Sequence, residues 1–262
     1  MRRPELEPGR IDLWLCRYQS IHDPRLLQHY LGLLNPTERE RQQRFHFADD
    51  RQRYLLTRAL VRCVLSRYAT VAPADWRFAE NAYGRPAIDP AHGSDLEFNL
   101  SHTRGLIALA VARRRVFGID VENLAERQPS LGIADRFFSA EEAAALAKLP
   151  GALQQRRFFE YWTFKEAYIK ARGMGLSLPL DRFSFRFPAD DGVQLQIHPE
   201  LNDPAERWQL WQLAPSDSCL LALCAERASA PTLLRARQII PDVHDEALDL
   251  PPLRCGGFGP TA

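Results

Sequence analysis

Trp162-Thr163-Phe164-Lys165-Glu166-Ala167-Tyr168-Ile169-Lys170 is the stretch on which the reading of this chain turns. Apolar and aromatic residues occupy more than one face, as in a largely buried helix, yet two lysines and a glutamate stand where burying charge is costly. Such charges need partners. Glu166 and Lys170 lie one turn apart on the face that also carries Trp162, one turn before. Alone, the stretch also admits a surface ion pair on an amphipathic helix. The residues upstream of it decide between the two.

About forty residues earlier stands Val116-Phe117-Gly118-Ile119-Asp120-Val121-Glu122. It alternates as a strand, with Ile119 and Val121 on one face and Asp120 and Glu122 on the other, so the two carboxylates are about 7 Å apart along the chain. Like charges that close repel unless a cation or hydrogen-bond donors neutralise them. On an exposed edge the pattern means little. In so apolar a run it points to a divalent metal, and oxygen donors point to magnesium or manganese rather than zinc.

Outward from these two stretches, residues 11–16 read as a first strand. Asn35-Pro36-Thr37-Glu38 is a helix start, with a capping residue, a proline at the first position and a glutamate placed to close a capping box. A second helix begins near Asp49 and Asp50 and runs to about Tyr68, with Leu56, Leu60, Cys63 and Val64 as its apolar stripe. Arg39, Arg41, Arg44, Arg51, Arg53, Arg58, Arg62 and Arg67 fall on at least two faces of these helices. They form either a solvated surface laced with acids or a surface that grips phosphate or an acidic partner through guanidinium forks. Composition does not separate the two.

Tyr83-Gly84-Arg85-Pro86 reads as a turn carrying an exposed basic residue. Residues 96–100 and 106–112 are strands, and Ser101-His102-Thr103-Arg104-Gly105 is a hairpin-like connection at a sheet end, where binding groups gather. A Ser-His pair without an acidic partner or a nucleophile elbow does not make a serine hydrolase. Ser139-Ala140-Glu141-Glu142 is a second capping box, and the helix it opens ends at Pro150-Gly151. The central helix runs over 154–171 and stops at Gly173. Strands follow over 183–187 and 193–197, then over 208–213 and 219–224. Beyond Arg227 the periodicity decays, and a poorly ordered tail is expected over 227–262.

Helices followed by an antiparallel pair of strands occur before residue 113 and again after residue 135. This predicts an α+β fold in two similar halves, 10–117 and 118–226. A net charge of +1 on 262 residues excludes a nucleic-acid binder acting by bulk electrostatics. The five cysteines are odd in number and form no C-x-x-C pair, which suits a reducing cytoplasm. No signal-peptide core precedes residue 10, and no run reaches the ~20 apolar residues that span a bilayer. The expectation is therefore a soluble, unexported protein with no membrane partner.

Gly118-Ile119-Asp120-Val121-Glu122 followed by Trp162-Thr163-Phe164-Lys165-Glu166-Ala167-Tyr168-Ile169-Lys170 resembles the two signature motifs of the 4′-phosphopantetheinyl transferases of the Sfp-type, surfactin-synthetase-activating subfamily. Gly84-Arg85-Pro86, Asn99-Leu100-Ser101-His102, Arg136-Phe137-Phe138-Ser139 and Gly175-Leu176-Ser177-Leu178-Pro179-Leu180 match further motifs in the right order, so the resemblance covers residues 11–225.

The resemblance implies two α+β halves related by a pseudo-twofold axis, with the active site in the cleft between them, in a monomer. The implied reaction moves the phosphopantetheine arm of coenzyme A to a serine of an apo acyl-, peptidyl- or aryl-carrier protein and releases adenosine 3′,5′-bisphosphate. A magnesium ion, with manganese as the other candidate, would be held by Asp120, Glu122 and Glu166. Glu166 would also take the serine proton, directly or through water. Lys170 would neutralise the pyrophosphate, with Lys165 adding to the same field. Ser101 and His102 would hold the 3′-phosphate of coenzyme A, with Arg85 and Arg41 as further phosphate partners. Glu38 stands where some relatives carry a basic residue. Acidic carrier proteins would be steered by part of the arginine-rich region, Arg58 and Arg62 being the positions to reverse. Two rival readings use the same residues: a magnesium-dependent pyrophosphate or phosphodiester hydrolase, and a non-catalytic relative that grips coenzyme A or a carrier without turnover.

Overall fold

The computed structural model describes residues 6–126 and 131–257. It begins with β1 (Arg10–Cys16), α1 (Pro24–Leu33), α2 (Pro36–Arg44), α3 (Ala48–Tyr68), β2 (Phe78–Glu80), β3 (Pro86–Ile88), β4 (Leu96–Thr103) and β5 (Leu106–Arg113). Then come β6 (Phe117–Asn123), α4 (Leu131–Phe137), α5 (Ala140–Ala147), α6 (Gly151–Arg172), β7 (Phe183–Arg186), β8 (Gln194–Ile197), β9 (Trp208–Ser216) and β10 (Cys219–Glu226). The chain closes with β11 (Leu233–Ile240), β12 (His244–Leu248) and β13 (Arg254–Gly256). The fold is α+β and divides into two compact units. Among the described residues, one holds 6–81, 86–114 and 230–249, and the other 82–85, 115–126, 131–229 and 250–257.

The first unit is built on a five-stranded sheet in the order β12-β11-β1-β5-β4. All seven residues of β1 are buried, as suits a strand with neighbours on both edges. α3 buries Leu56, Leu60 and Val64 in the core together with Trp14, Leu109 and Val111 from the sheet. The capping box forms at the start of α2: Asn35 Oδ1 accepts the Glu38 N–H at 2.8 Å, and Glu38 Oε2 accepts the Asn35 N–H at 3.1 Å. α1 was not foreseen; Asp23 caps it and Pro24 opens it. β4 continues through Ser101, His102 and Thr103, paired with Ala108, Ile107 and Leu106, and the turn falls on Arg104 and Gly105. Gly105, at φ +86°, supplies the left-handed residue that so short a turn requires.

Arg58 and Arg62, the two positions singled out for steering, are not open to a partner, whereas Arg39, Arg41 and Arg44 of α2 are exposed. Arg62 is fully buried, and its guanidinium donates to the Trp76 and Pro73 carbonyls at 2.8 and 3.1 Å and to Glu38 Oε2 at 2.7 Å. Arg58 stands 3.6 Å from Glu38, and its side chain is only 16 % exposed. Helical periodicity had placed these residues on a face without telling which faces α2 and residues 73–76 cover.

The second unit carries a four-stranded sheet in the order β13-β9-β10-β6, across which α6 lies. Aromatic pairs bind α6 to β7: Phe164 stacks on Phe185 at 5.1 Å and Tyr168 meets Phe183 at 4.7 Å. The helix starts at Gly151, directly after Pro150, and ends in Gly173 at φ +64°, whose N–H bonds the Ile169 and Lys170 carbonyls.

The expected tail over 227–262 is corrected for its described residues, 227–257, where three strands lie; residues 258–262 are outside the described residues. β11 runs parallel to β1, with Ile239 only 2 % exposed, and Asp245 of β12 receives Arg67 and Arg237. β13 adds to the edge of β9. There a Cβ on Gly256 would sit 1.8 Å from the Val193 carbonyl oxygen, so only glycine fits. These strands owe their order to partners far off in sequence, which local periodicity cannot show. The unit division accordingly falls between Arg114 and Arg115, and each unit takes part of the C-terminal segment.

Candidate functional site

Two elements of the second unit build the site. β6 brings Asp120, which is 5 % exposed, and the half-buried Glu122, opposite Ala222 and Leu220 of β10. α6 brings Glu166 and Lys170 on one face. The two elements touch backbone to backbone at Gly118, where a Cβ would lie 2.3 Å from both the Ala167 oxygen and the Ala171 nitrogen. Any other residue there would push α6 off the strand.

Two residues beyond Gly118 on β6, the Lys170 ammonium donates to Asp120 Oδ1 at 2.7 Å. The carboxyl of Glu166 is pushed above the ordinary glutamate range, first by burial and then by the charge of Asp120, with Lys170 pulling the other way. Lys170 pairs with Asp120 and pulls Glu166 down, but burial and the Asp120 charge together outweigh it. This is the electrostatic state that an added positive charge relieves.

Among the described residues, no group of three or more His, Cys, Asp or Glu side chains is gathered as a ready-made metal cage, so Asp120, Glu122 and Glu166 are not preformed into one. Their donor chemistry nevertheless fits a hard divalent cation, since all three are carboxylates.

Lys165, next in sequence to Glu166, does not join this field. It is fully buried on the other side of α6, 2.7 Å from Glu142 and within 2.8 Å of the Leu180 and Phe183 carbonyl oxygens. Burial lowers its pKa, and Glu142 opposes that shift. Glu142 also receives the Ser139 and Phe185 N–H groups, each at 2.9 Å, so one carboxylate ties α5, α6 and β7 together. Arg85 is half-buried rather than exposed, and its guanidinium meets backbone carbonyls at the end of α6 and the start of β6. Asp203 is a residue that sequence reasoning missed. It accepts the Tyr168 hydroxyl at 2.7 Å, Arg172 at 2.9 Å and the Trp208 indole at 2.8 Å, which pins the last turn of α6. An aspartate in a polar loop gives no local signal of that role.

The other sequence candidates belong to the first unit. Ser101 is buried and His102 exposed on β4, the edge strand of the five-stranded sheet. Arg41 lines a cavity of about 210 Å³ together with Glu38, Tyr54, Arg58, Phe78 and Pro86. Arg41 and Arg58 stand 5.8 and 5.3 Å from the centre of the Tyr54 ring.

Known proteins resemble the chain over both units. Residues 116–224 match the 4′-phosphopantetheinyl transferase superfamily, and residues 23–114 match the N-terminal region of 4′-phosphopantetheinyl transferases. The chain is 35 % identical to the 4′-phosphopantetheinyl transferase HetI of Nostoc sp., over 75 % of this chain and 80 % of that protein. It is 36 % identical to the 4′-phosphopantetheinyl transferase Sfp of Bacillus subtilis, over 68 % of this chain and 76 % of that one. The two matched segments meet at residues 114–116, where the unit division also falls.

Proposed function

The chain belongs to the 4′-phosphopantetheinyl transferases, which move phosphopantetheine from coenzyme A to carrier proteins, and from that premise we propose that β6 and α6 carry the reacting set. Asp120, Glu122 and Glu166 would hold a divalent cation, magnesium before manganese. Bound there, the cation would stabilise charge that accumulates on the pyrophosphate as it is attacked.

The residues of the chain do the rest. As the oxygen of the carrier serine forms its bond to phosphorus, its proton passes to a carboxylate oxygen of Glu166, directly or through water. The phosphoanhydride bond breaks, and adenosine 3′,5′-bisphosphate leaves with the electron pair. Lys170 supplies positive charge to the pyrophosphate. Ser101, His102 and Arg41 are assigned to the 3′-phosphate of coenzyme A. We place the protein in the cytoplasm, acting as a monomer on apo acyl-, peptidyl- or aryl-carrier proteins. Five free cysteines support the location, as does the fact that no helix among the described residues is long and apolar enough to cross a membrane.

The observation that carries this reading is the unbalanced set of Asp120, Glu166 and Lys170, with Glu166 pushed up by burial and by Asp120. Its test is the intact mass of an apo carrier protein after incubation with the protein, coenzyme A and magnesium. The expected result is a gain of one phosphopantetheine, lost with Glu166→Gln or on chelation. No gain on several carrier types, with coenzyme A consumed, would make the protein a hydrolase. Coenzyme A bound but intact would make it a binding relative.

A further inference from the structure

Within the first unit, two guanidiniums of α3, Arg58 and Arg62, face one carboxylate, Glu38 of α2. Glu38 is committed to Arg62: its Oε2 accepts that guanidinium at 2.7 Å and the Asn35 N–H at 3.1 Å. Arg58 Nε stands 3.6 Å from Glu38 Oε1, beyond hydrogen-bond reach, and among the described residues this buried nitrogen has no acceptor. A buried donor on a charged group is costly to leave in that state.

Arg58 also lines the cavity of about 210 Å³ that Arg41 lines from α2. The two guanidiniums stand 5.3 and 5.8 Å from the centre of the Tyr54 ring, which belongs to the same wall. Attraction to the ring face offsets part of the repulsion between two like charges held so near it. The acids of the wall do not supply the rest. Glu38 is held by Arg62, and Glu80 is exposed, where solvent and salt screen it. Two guanidiniums at a cavity wall present the donor forks that phosphate and carboxylate oxygens accept. The cavity is smaller than the ~300–1,000 Å³ that encloses a whole small-molecule ligand, so it suits one charged group of a longer one.

We propose that Arg58 is a substrate ligand: with Arg41 it binds the 3′-phosphate of coenzyme A, supplying from α3 the positive charge that some relatives carry on α2 at the position of Glu38. Here Glu38 caps α2 and closes on Arg62, so the residue at that position serves the architecture and the charge of the cavity comes from the neighbouring helix. Arg58 is too enclosed to meet a carrier protein, yet the cavity opens it to a small anion. The proposal rests on the reading of the chain as a transferase that uses coenzyme A. It adds to the phosphate partners implied by the sequence resemblance a residue that the resemblance does not reach.

The test is titration calorimetry on the full chain with adenosine 3′,5′-bisphosphate and with adenosine 5′-monophosphate, which lacks the 3′-phosphate. Wild type is expected to bind the bisphosphate at least tenfold more tightly. In Arg58→Gln that preference should fall to threefold or less, with the affinity for the monophosphate within twofold of wild type. Should the glutamine variant not fold, Arg58→Lys takes its place; it keeps a charge but not the fork, and its preference should fall at least threefold. A preference unchanged in the variant would overturn the proposal. Equal losses for both nucleotides, or no preference in wild type, would overturn it as well. None of these measurements needs turnover. If bisphosphate binding depends on Arg58 while the wild-type protein transfers no phosphopantetheine, it is the functional reading that fails.

Discussion

The two long helices, α3 of the first unit and α6 of the second, both bury charged side chains, and they do so to different ends. On α3, Arg62 is fully enclosed, and its guanidinium closes on Glu38 and the carbonyls of residues 73–76. On α6, Lys165 is enclosed in the same way by Glu142 and two carbonyls. One residue further along α6 the pattern changes: Lys170 pairs with Asp120, and Glu166 is pushed up, first by burial and then by the charge of Asp120, with Lys170 only partly opposing the shift. Burial of charge therefore does not by itself mark a site. A closed pair marks architecture, and a surplus of one sign marks a place prepared for something that brings the other.

The sharpest way to break this comparison is to remove the surplus. Glu166→Gln is expected to lower transfer by about 10²- to 10⁴-fold, the range for a lost general base, without lowering the melting temperature. Intact-mass rates and a thermal melt check both halves of the claim. If transfer were retained, Glu166 would belong with Arg62 as a structural charge. The complementary change attacks a closed pair. Lys165→Met leaves Glu142 buried and unpaired and is expected to cost about 3–5 kcal/mol in urea unfolding. Adding Glu142→Leu should recover only part of that, because the Ser139 and Phe185 N–H groups lose their acceptor, at about 1–3 kcal/mol for each one left buried. A Lys165→Met protein that unfolded like wild type would remove the distinction between the two kinds of buried charge.

How much of this was legible beforehand follows from where the determining contacts lie. The capping boxes at Asn35 and Ser139, the glycine stop at Gly173 and the alternation around Asp120 are local chemistry, and the sequence displays them. Glu166 and Lys170 were found because they share a face, and Asp120 because strand alternation turned it away from Ile119. Lys165 was misjudged because its partner, Glu142, lies in a different helix and no spacing rule connects them. Arg62 was misjudged for the same reason, its acceptors lying in a loop that sequence alone does not fold back. β11 and β13 were missed because their order comes from β1 and β9. Gly118 stood in plain view, but only the packed helix explains why no side chain is allowed there.

A smaller effect separates the site from the closed pairs by ligand linkage. If the carboxylates hold magnesium, then free magnesium at a hundredfold excess over its Kd should stabilise the wild-type protein by about 2.7 kcal/mol. Asp120→Asn and Glu166→Gln should lose this gain, whereas Lys165→Met, though less stable at the start, should keep it. Melting with and without a chelator measures all four. Equal stabilisation of every variant would place the ion elsewhere.

The smallest effect tests the surplus without any ligand, through pH. The carboxyl of Glu166 is raised in the folded protein above its ordinary value of 4.5, so the folded state favours its protonated form. Below the ordinary value both folded and unfolded chains hold the proton, and the group costs nothing. As pH rises past that value the unfolded chain ionises freely while the folded one resists. The stability this proton contributed is then lost progressively until the pH passes the raised folded value, at a slope of at most about 1.4 kcal/mol per pH unit. Wild type measured against Glu166→Gln in metal-free buffer should show that decline, while the glutamine variant shows none from this position. Asp120→Asn distinguishes the causes. Burial is the larger one and remains, so the window should narrow without closing, by the share that the Asp120 charge contributes. A window that kept its full width in Asp120→Asn would mean that Glu166 does not feel Asp120. The unbalanced set would then reduce to a buried glutamate and a separate ion pair, each of the ordinary kind found on α3.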